Sequence, residues 1–247
     1  MTYLNQIFVM VTRLVMFGLV LSLLLSLMSC KSTLEVEGDF PTPVINIIPL
    51  NVGIIYEEEF RSYRYIEKNE ERDEWEIGIG KSQVKLFNIV LGAMFKSVIV
   101  AESEKVATNV SADVPNTAMD TSIDLFFKPK VEEFQYNVPD ETDINMFEVW
   151  IKYNMKVYDA QGQLIADWIQ TAYGKTPTAF FKSQERALNE AMIIALRDIG
   201  AGLSLRFRHI PEINTWLKQK HSTSQITKHY KKNKSHTELI TVLLANN

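Results

Sequence analysis

One segment of the chain, Phe147 to Val157, alternates between large apolar and other residues along its whole length. The residues in the apolar phase are Phe147, Val149, Ile151, Tyr153, Met155 and Val157. Because successive side chains of a β-strand point to opposite faces, this period of two predicts a strand with one face in the core. Asp159-Ala-Gln-Gly162 is typical of a tight turn, and residues 163–173 are predicted to return as the hairpin partner. The fold must therefore contain a sheet that is covered on one side.

Two segments carry apolar residues at helical spacing. The first follows Gly80 and runs to Phe95, and we expect the Ser82 hydroxyl to cap its first turn. The second spans residues 182–205. Its inward stripe contains Leu188, Ala191, Met192, Ala195, Leu196, Ile199 and Leu203. Each stripe is narrow enough to cover one sheet face and leave the rest of the helix in water.

Further strands are predicted at residues 44–56, 61–67, 74–79, 98–101 and 123–136. The second and third of these are separated by a charged turn at 68–73 and are expected to form a hairpin. A long polar connection, residues 102–121, follows the fourth. Strands and helices in this order predict an α+β fold, with one mostly antiparallel sheet and both amphipathic helices packed on one face.

The amino terminus contains an uncharged apolar run, residues 14–27, with Arg13 directly before it. This is the length and flanking charge of a secretory signal peptide. A spanning helix needs roughly 20 apolar residues. Extending the run past Arg13 would place a charge inside the bilayer, at a cost of roughly 2.5–3.5 kcal/mol. We therefore interpret the run as a signal peptide, with either Met1 or Met10 as the start codon.

The only cysteine of the chain, Cys30, follows this run directly after Ser29. A lone thiol is unusual in an exported protein unless something uses its sulfur. The order Leu27-Met28-Ser29-Cys30 resembles the lipobox of a bacterial lipoprotein, with Met28 in place of the more usual Ala or Ser. The resemblance implies cleavage before Cys30 and lipid attachment to it. The alternatives are a signal peptide without lipidation and an uncleaved anchor.

These features divide the chain into four predicted parts. They are a signal peptide at 1–29, a lipidated tether at 30–43, a single α+β domain at 44–217 and a basic, flexible tail at 218–247. The tether mixes polar residues with two prolines and shows no sustained period. The tail has six lysines and one glutamate in a chain whose net charge is −4, so the domain before it is acidic. We expect the tail to be a solvated end.

The sequence contains no recognisable motif of catalytic residues. His209 is the only histidine before the tail, and no Gly-x-Ser-x-Gly motif presents a serine. Gly78 and Gly80 lack the third glycine of a phosphate loop, so we interpret them as a tight turn. We predict no enzyme, no catalytic or metal-binding residue and no cofactor. The acidic domain also argues against a nucleic-acid partner.

Cys30, the run Gly80 to Phe95 and the hairpin followed by a long closing helix together resemble a class of bacterial envelope lipoproteins. Small domains of this kind occur in curli-secretion, lipopolysaccharide-assembly and Tol-associated proteins. The resemblance implies a lipid-anchored, non-enzymatic accessory or assembly protein that binds the membrane through lipid on Cys30 and binds an envelope protein. Lys31, after the cysteine, favours the outer membrane, with the domain facing the periplasm. The alternative is a lipoprotein that binds a small ligand, lipid or glycan between the sheet and loop 102–121.

Overall fold

The structure, a computed structural model, describes residues 10, 13, 16–17, 32–66, 75–101, 123–139, 145–178, 183–220 and 222. Within this part of the chain the fold is α+β with two sheets and mostly antiparallel strands, which confirms the predicted class. Among the same residues, no helix combines the length and apolar character needed to cross a bilayer. Cys30, turn 68–73, loop 102–121 and most of the tail lie outside the described residues.

The described residues form eight strands, four helices and one 3-10 turn. They are β1 (Ser32–Glu35), β2 (Ile48–Ile55), α1 (Glu58–Arg61), β3 (Arg64–Ile66), β4 (Trp75–Gly78), α2 (Gly80–Met94), β5 (Phe95–Ala101), β6 (Leu125–Asn137), β7 (Met146–Asp159), β8 (Leu164–Pro177), α3 (Gln184–Arg206), a 3-10 turn (Phe207–His209) and α4 (211–220). One sheet has three strands in the order β1-β4-β3. The other has five, in the order β5-β2-β6-β7-β8.

The chain divides into two compact units. The smaller contains Met1–Leu34 and Tyr65–Ile77, and its described residues supply most of the three-stranded sheet. In that sheet β3 and β4 are neighbours, as expected for the predicted pair. The larger unit contains Glu35–Arg64 and Gly78–Asn247 and includes the five-stranded sheet.

The five-stranded sheet combines two kinds of pairing. Strands β6, β7 and β8 form an antiparallel meander, whereas β2 pairs in parallel with both β5 and β6. Parallel neighbours need a crossover connection, and helix α2 lies on the one that joins β2 to β5. Gly162 has a φ of 79°, so the turn between β7 and β8 uses its glycine as predicted.

Both long helices cover the same face of this sheet, as predicted. All six apolar side chains of β7 are buried there. Phe87 of α2 packs edge-on against Tyr153 of β7, with ring centroids 5.8 Å apart. A side chain added at Gly174 of β8 would meet the backbone of α3 at Ala191, so only glycine allows α3 to lie this close. Within the part of the chain that the structure describes, the β8 side chains on the opposite face are exposed or half-buried, and we call this side the open face of the meander.

Three local predictions differ from the structure. Helix α2 begins at Gly80 without a side-chain cap, because the buried Ser82 hydroxyl donates instead to the carbonyl of Val36. Within the predicted tether, β1 is a strand, and Val36 and Phe40 are buried. Apolar residues spaced too irregularly to show a period still enter the core when the chain crosses it as a single pass. The predicted boundary at 217 also falls inside α4.

Candidate functional site

The open face of the meander carries a shallow cleft of about 310 Å³. Its lining side chains come from three adjacent strands and alternate with the buried ones. They include Glu133 and Gln135 of β6, Trp150 and Lys152 of β7, and Thr171 of β8. Because the core residues of these strands take up the other face, the sequence leaves its polar and amphipathic side chains here.

One residue that lines this cleft, Trp150, belongs to an aromatic pair. Trp150 and Tyr173 lie opposite each other on β7 and β8, with ring centroids 5.2 Å apart and planes inclined by 36°. Both side chains are half-buried. The Tyr173 hydroxyl donates to the Glu148 carboxylate at 2.6 Å. This hydrogen bond raises the pKa of Tyr173, because the donated proton would be lost beside a negative charge. The pair is thereby fixed as a neutral aromatic surface.

The charged groups of the cleft are compensated locally. Lys152 Nζ lies 2.6 Å from Glu133 Oε2, and the Gln135 side-chain amide donates to the same carboxylate at 2.5 Å. The Lys152 hydrogen bond and charge, followed in effect by Gln135, hold the pKa of Glu133 below its ordinary value. The cleft therefore offers aromatic planes and hydrogen-bonding groups with little net charge. Such a surface suits binding of an uncharged partner group that has both apolar and hydrogen-bonding parts.

A second cleft, of about 500 Å³, lies where the segment 35–39 crosses α2. Lys85 Nζ lies 2.8 Å from the Asp39 carboxylate and 3.0 Å from the Gly38 carbonyl. Arg197 of α3 donates to the Asp39 carbonyl at 2.8 Å. The hydrogen bond from Lys85 is the main cause of the lowered pKa of Asp39, followed by the charges of Lys85 and Arg197.

The same segment is also held by its backbone. Asn189 of α3 accepts from the Glu37 N–H and donates to the Glu37 carbonyl, both at 3.0 Å. Together with Ser82 and the pair Lys85–Asp39, these contacts attach residues 35–40 to both long helices. We call residues 35–40 and these contacts the latch. The polar groups that line the second cleft are thus used for holding the chain itself.

Two buried tyrosine hydroxyls of the core are each satisfied by a neighbouring amide side chain. Gln83 of α2 donates from its amide to the Phe60 carbonyl and accepts from the Tyr153 hydroxyl at 3.1 Å. Both Gln83 and Tyr153 are fully buried, and burial raises the pKa of Tyr153 above its ordinary value. Tyr56 similarly donates to Asn88 at 2.9 Å. These hydroxyls therefore act as neutral hydrogen-bond donors in the core.

The residues singled out from the sequence fall in different places. Cys30 and loop 102–121 lie outside the described residues. His209 is exposed in the turn after α3. Gly80 packs against the backbone of Arg61, which supports the interpretation of a tight turn. The described residues contain no group of three or more histidines, cysteines or acids placed to hold a metal ion.

Sequence reasoning missed the open-face aromatic pair. Trp150 falls in the polar phase of the β7 alternation, between Glu148 and Lys152. A large aromatic residue on the solvent side of such a strand is the signal that could have found it, because a scattered surface residue is more often polar. Its neighbour Tyr173 becomes visible only when the β7–β8 register is known.

Comparisons with known proteins give structural similarity alone. No family model and no curated protein sequence matches the chain. Among solved structures, a Xanthomonas campestris protein described by the family model DUF330 has a TM-score of 0.44 at 11% identity, over 79% of this chain and 98% of that one. A proposed lipoprotein of Caulobacter crescentus has a TM-score of 0.34 at 14% identity, over 57% and 84%. A minor lipoprotein of Acinetobacter baumannii has a TM-score of 0.34 at 9% identity, over 65% and 92%.

Proposed function

We propose that this chain is a lipoprotein of the bacterial outer membrane that acts as a non-enzymatic accessory or assembly protein. Lipid on Cys30 would hold it to the membrane, with the domain facing the periplasm. The open face of the meander would bind a protein of the envelope. The anchor rests on the sequence around Cys30, and the mode of action rests on the surface chemistry of that face.

The half-buried pair Trp150–Tyr173 is the observation that carries the protein-binding proposal. Tryptophan and tyrosine contribute most often to the energetic centre of protein interfaces, because they bury a large area at a small cost in side-chain entropy. The pair lies beside polar groups that already satisfy one another, such as Lys152 and Glu133. Burial under a partner would therefore desolvate few unpaired charges.

The latch gives the proposed anchor a mechanical consequence. Only four residues lie between Cys30 and Glu35, where the latched segment begins, so five Cα–Cα steps join the two. An extended chain spans at most about 3.6 Å per residue, so the Cα atoms of Cys30 and Glu35 lie within about 18 Å of each other. A lipid on Cys30 would then keep the domain beside the bilayer surface. A partner in the same membrane would meet it there at high effective concentration.

Site-specific photocrosslinking in the native envelope tests this proposal. A photoreactive residue at Gln135, in the cleft, should form an adduct of one defined mass with an envelope protein. The same residue at exposed Lys96 on β5 is the matched control and should give none. The adduct should disappear with Trp150→Ala, because the aromatic plane is lost, and weaken with Cys30→Ser, because the protein leaves the membrane. Equal labelling from Gln135 and Lys96 would contradict a specific partner at this face.

A small ligand or glycan is the second candidate for the same cleft. The observation in its favour is the half-buried indole plane of Trp150 beside the hydrogen-bonding side chains of Gln135 and Thr171. Mass spectrometry of the protein isolated without denaturation separates the two proposals. A retained small molecule that Trp150→Ala releases supports this candidate, whereas a protein adduct with no retained molecule supports the first.

A further inference from the structure

Among the described residues, strand β8 is the last strand of the five-stranded sheet and presents a long edge. Two hydrogen bonds establish how this edge is oriented. The N–H of Thr178, directly after the strand, donates to Asn145 on the β7 side, whereas the N–H of Tyr173 donates away from β7 to the Asp198 carboxylate. Because N–H directions alternate along a strand, the odd-numbered residues of β8 direct their N–H and C=O groups outward. Their side chains lie on the open face.

The outward residues of β8 are complementary to themselves. In order, they are Asp167, Ile169, Thr171, Tyr173 and Lys175. Antiparallel pairing of two such strands about Thr171 places Asp167 opposite Lys175 and Ile169 opposite Tyr173, with Thr171 opposite its own copy. An opposite-charge pair, an aromatic–aliphatic pair and a threonine pair are each favourable combinations across antiparallel strands. A two-fold axis repeats the first two of them, as an interface between identical surfaces requires.

Exposed apolar side chains flank this edge on both faces of the sheet. Ile169 is 52% exposed on the open face. On α3, Ile194 is 41% exposed and Leu205 is 67% exposed. These two residues lie four positions before and seven positions after Asp198, the residue that reaches the β8 edge, so they share its side of the helix. A second copy paired along β8 would bring its own α3 to this side of the sheet.

We propose that the chain forms a two-fold homodimer by antiparallel pairing of the two β8 edges about Thr171, which joins the two five-stranded sheets into one. This goes beyond the proposed function, which requires neither self-association nor this edge. Asp198 is a competitor in this assembly. Its carboxylate occupies the Tyr173 N–H, which the dimer would use to bond the Ile169 carbonyl of the second copy. A carboxylate cap of this kind keeps an unpaired edge soluble, and release of the cap opens the edge.

Disulfide trapping of the full-length chain in mild detergent tests the register. Facing Cα atoms of a hydrogen-bonded antiparallel pair lie about 5.5 Å apart, a distance that a disulfide bridges. Thr171→Cys should therefore give a covalent dimer on mild oxidation. In Ile169→Cys, the matched control, the two cysteines would lie roughly 14 Å apart and should stay reduced. The unsubstituted chain controls for Cys30. A monomeric Thr171→Cys protein, or equal crosslinking of the two variants, would overturn the proposal.

Sedimentation equilibrium of variants without an introduced cysteine is an independent test of the side-chain pairs that the dimer would form. Lys175→Asp should weaken dimerisation roughly ten-fold. The new aspartate would lie opposite Asp167 of the second copy, and the two-fold axis repeats this like-charge pair. The double variant Asp167→Lys/Lys175→Asp should recover it. Asp198→Ala should strengthen dimerisation, because the competing acceptor is gone, whereas a purely structural role would leave association unchanged. Loss of the dimer in Asp198→Ala, or no effect of Lys175→Asp, would overturn the proposal.

Discussion

Removal of a single buried hydroxyl, in Tyr153→Phe, tests how the core is held together. The Tyr153 ring packs against Phe60 and Phe87 and would keep these contacts in the variant. The change removes only the hydrogen bond to Gln83 Oε1, whose side chain is 0% exposed. Gln83 cannot turn away, because its amide is bonded to the Phe60 carbonyl. The oxygen would then remain buried without its donor.

The magnitude of this loss follows from desolvation. A buried acceptor left without its partner costs about 1–3 kcal/mol, whereas an exposed one is hydrated again at little cost. For a domain of this size each kcal/mol lowers the melting temperature by about 2–4 °C, so the expected decrease is about 2–12 °C. Tyr173→Phe is the matched control, because it removes the same hydroxyl group, which donates a hydrogen bond of 2.6 Å to Glu148, at a half-buried site. Its effect should stay within about 0.5 kcal/mol.

Urea unfolding of both variants, followed by circular dichroism, gives the two free energies. The expected result is a lower midpoint for Tyr153→Phe at an unchanged denaturant dependence, since the exposed area on unfolding is the same. If Tyr153→Phe and Tyr173→Phe cost the same, Gln83 must find another donor or the core must admit water. The account of Gln83 and Tyr153 as a satisfied pair in a closed core would then be wrong.

Three further outcomes follow from the packing and the latch. Gly174→Ala should destabilise the domain more than Gly162→Ala destabilises the turn, because its new methyl group meets the α3 backbone at Ala191; the measurement is thermal unfolding of both variants. A chain that starts at residue 44 should be less stable than one that starts at residue 32 by about 3 kcal/mol or more, because three buried side chains (Leu34, Val36 and Phe40) and the latch are removed. Acid should weaken the latch, because the pKa of Asp39 is lowered in the folded chain. The Asp39 carboxylate therefore stabilises the latch above about pH 4, and this stabilisation is lost as the pH falls through the pKa of Asp39 in the folded chain. Hydrogen exchange at the Glu37 amide should report this, and Lys85→Met should remove the pH dependence.

The long elements of the fold could be predicted because each carries a strong period. The predicted bounds of β7, α2 and α3 agree with the observed ones to within about two residues at each end. Burial of one face of each element leaves a periodic pattern in the sequence, and that pattern makes the prediction possible. The parallel pairing of β2 with β5 and β6 could not be read in this way. Strand order depends on which edges meet in three dimensions, and nothing in the period of β2 specifies its neighbours.

The structure of short segments without a periodic pattern could not be predicted from the sequence. Val36 and Phe40 enter the core from a stretch that looks like a linker, because one pass over two helices requires only a few apolar contacts. Ser82 was expected to cap α2, yet its hydroxyl bonds the passing chain at Val36. The open-face pair Trp150–Tyr173 depends on register between strands. Each of these features is set by a contact between segments distant in sequence, and such contacts leave no local signature.

The state of Cys30 in protein isolated from its native envelope tests the central claim most directly. Intact-mass and peptide analysis should find a chain that begins at Cys30, carries acyl groups and lacks residues 1–29, since several acyl chains make membrane attachment effectively permanent. Cys30→Ser should lack the acyl mass and leave the membrane fraction. A peptide that reads through from Ser29 to Lys31 with an unmodified Cys30 between them would contradict the lipoprotein account.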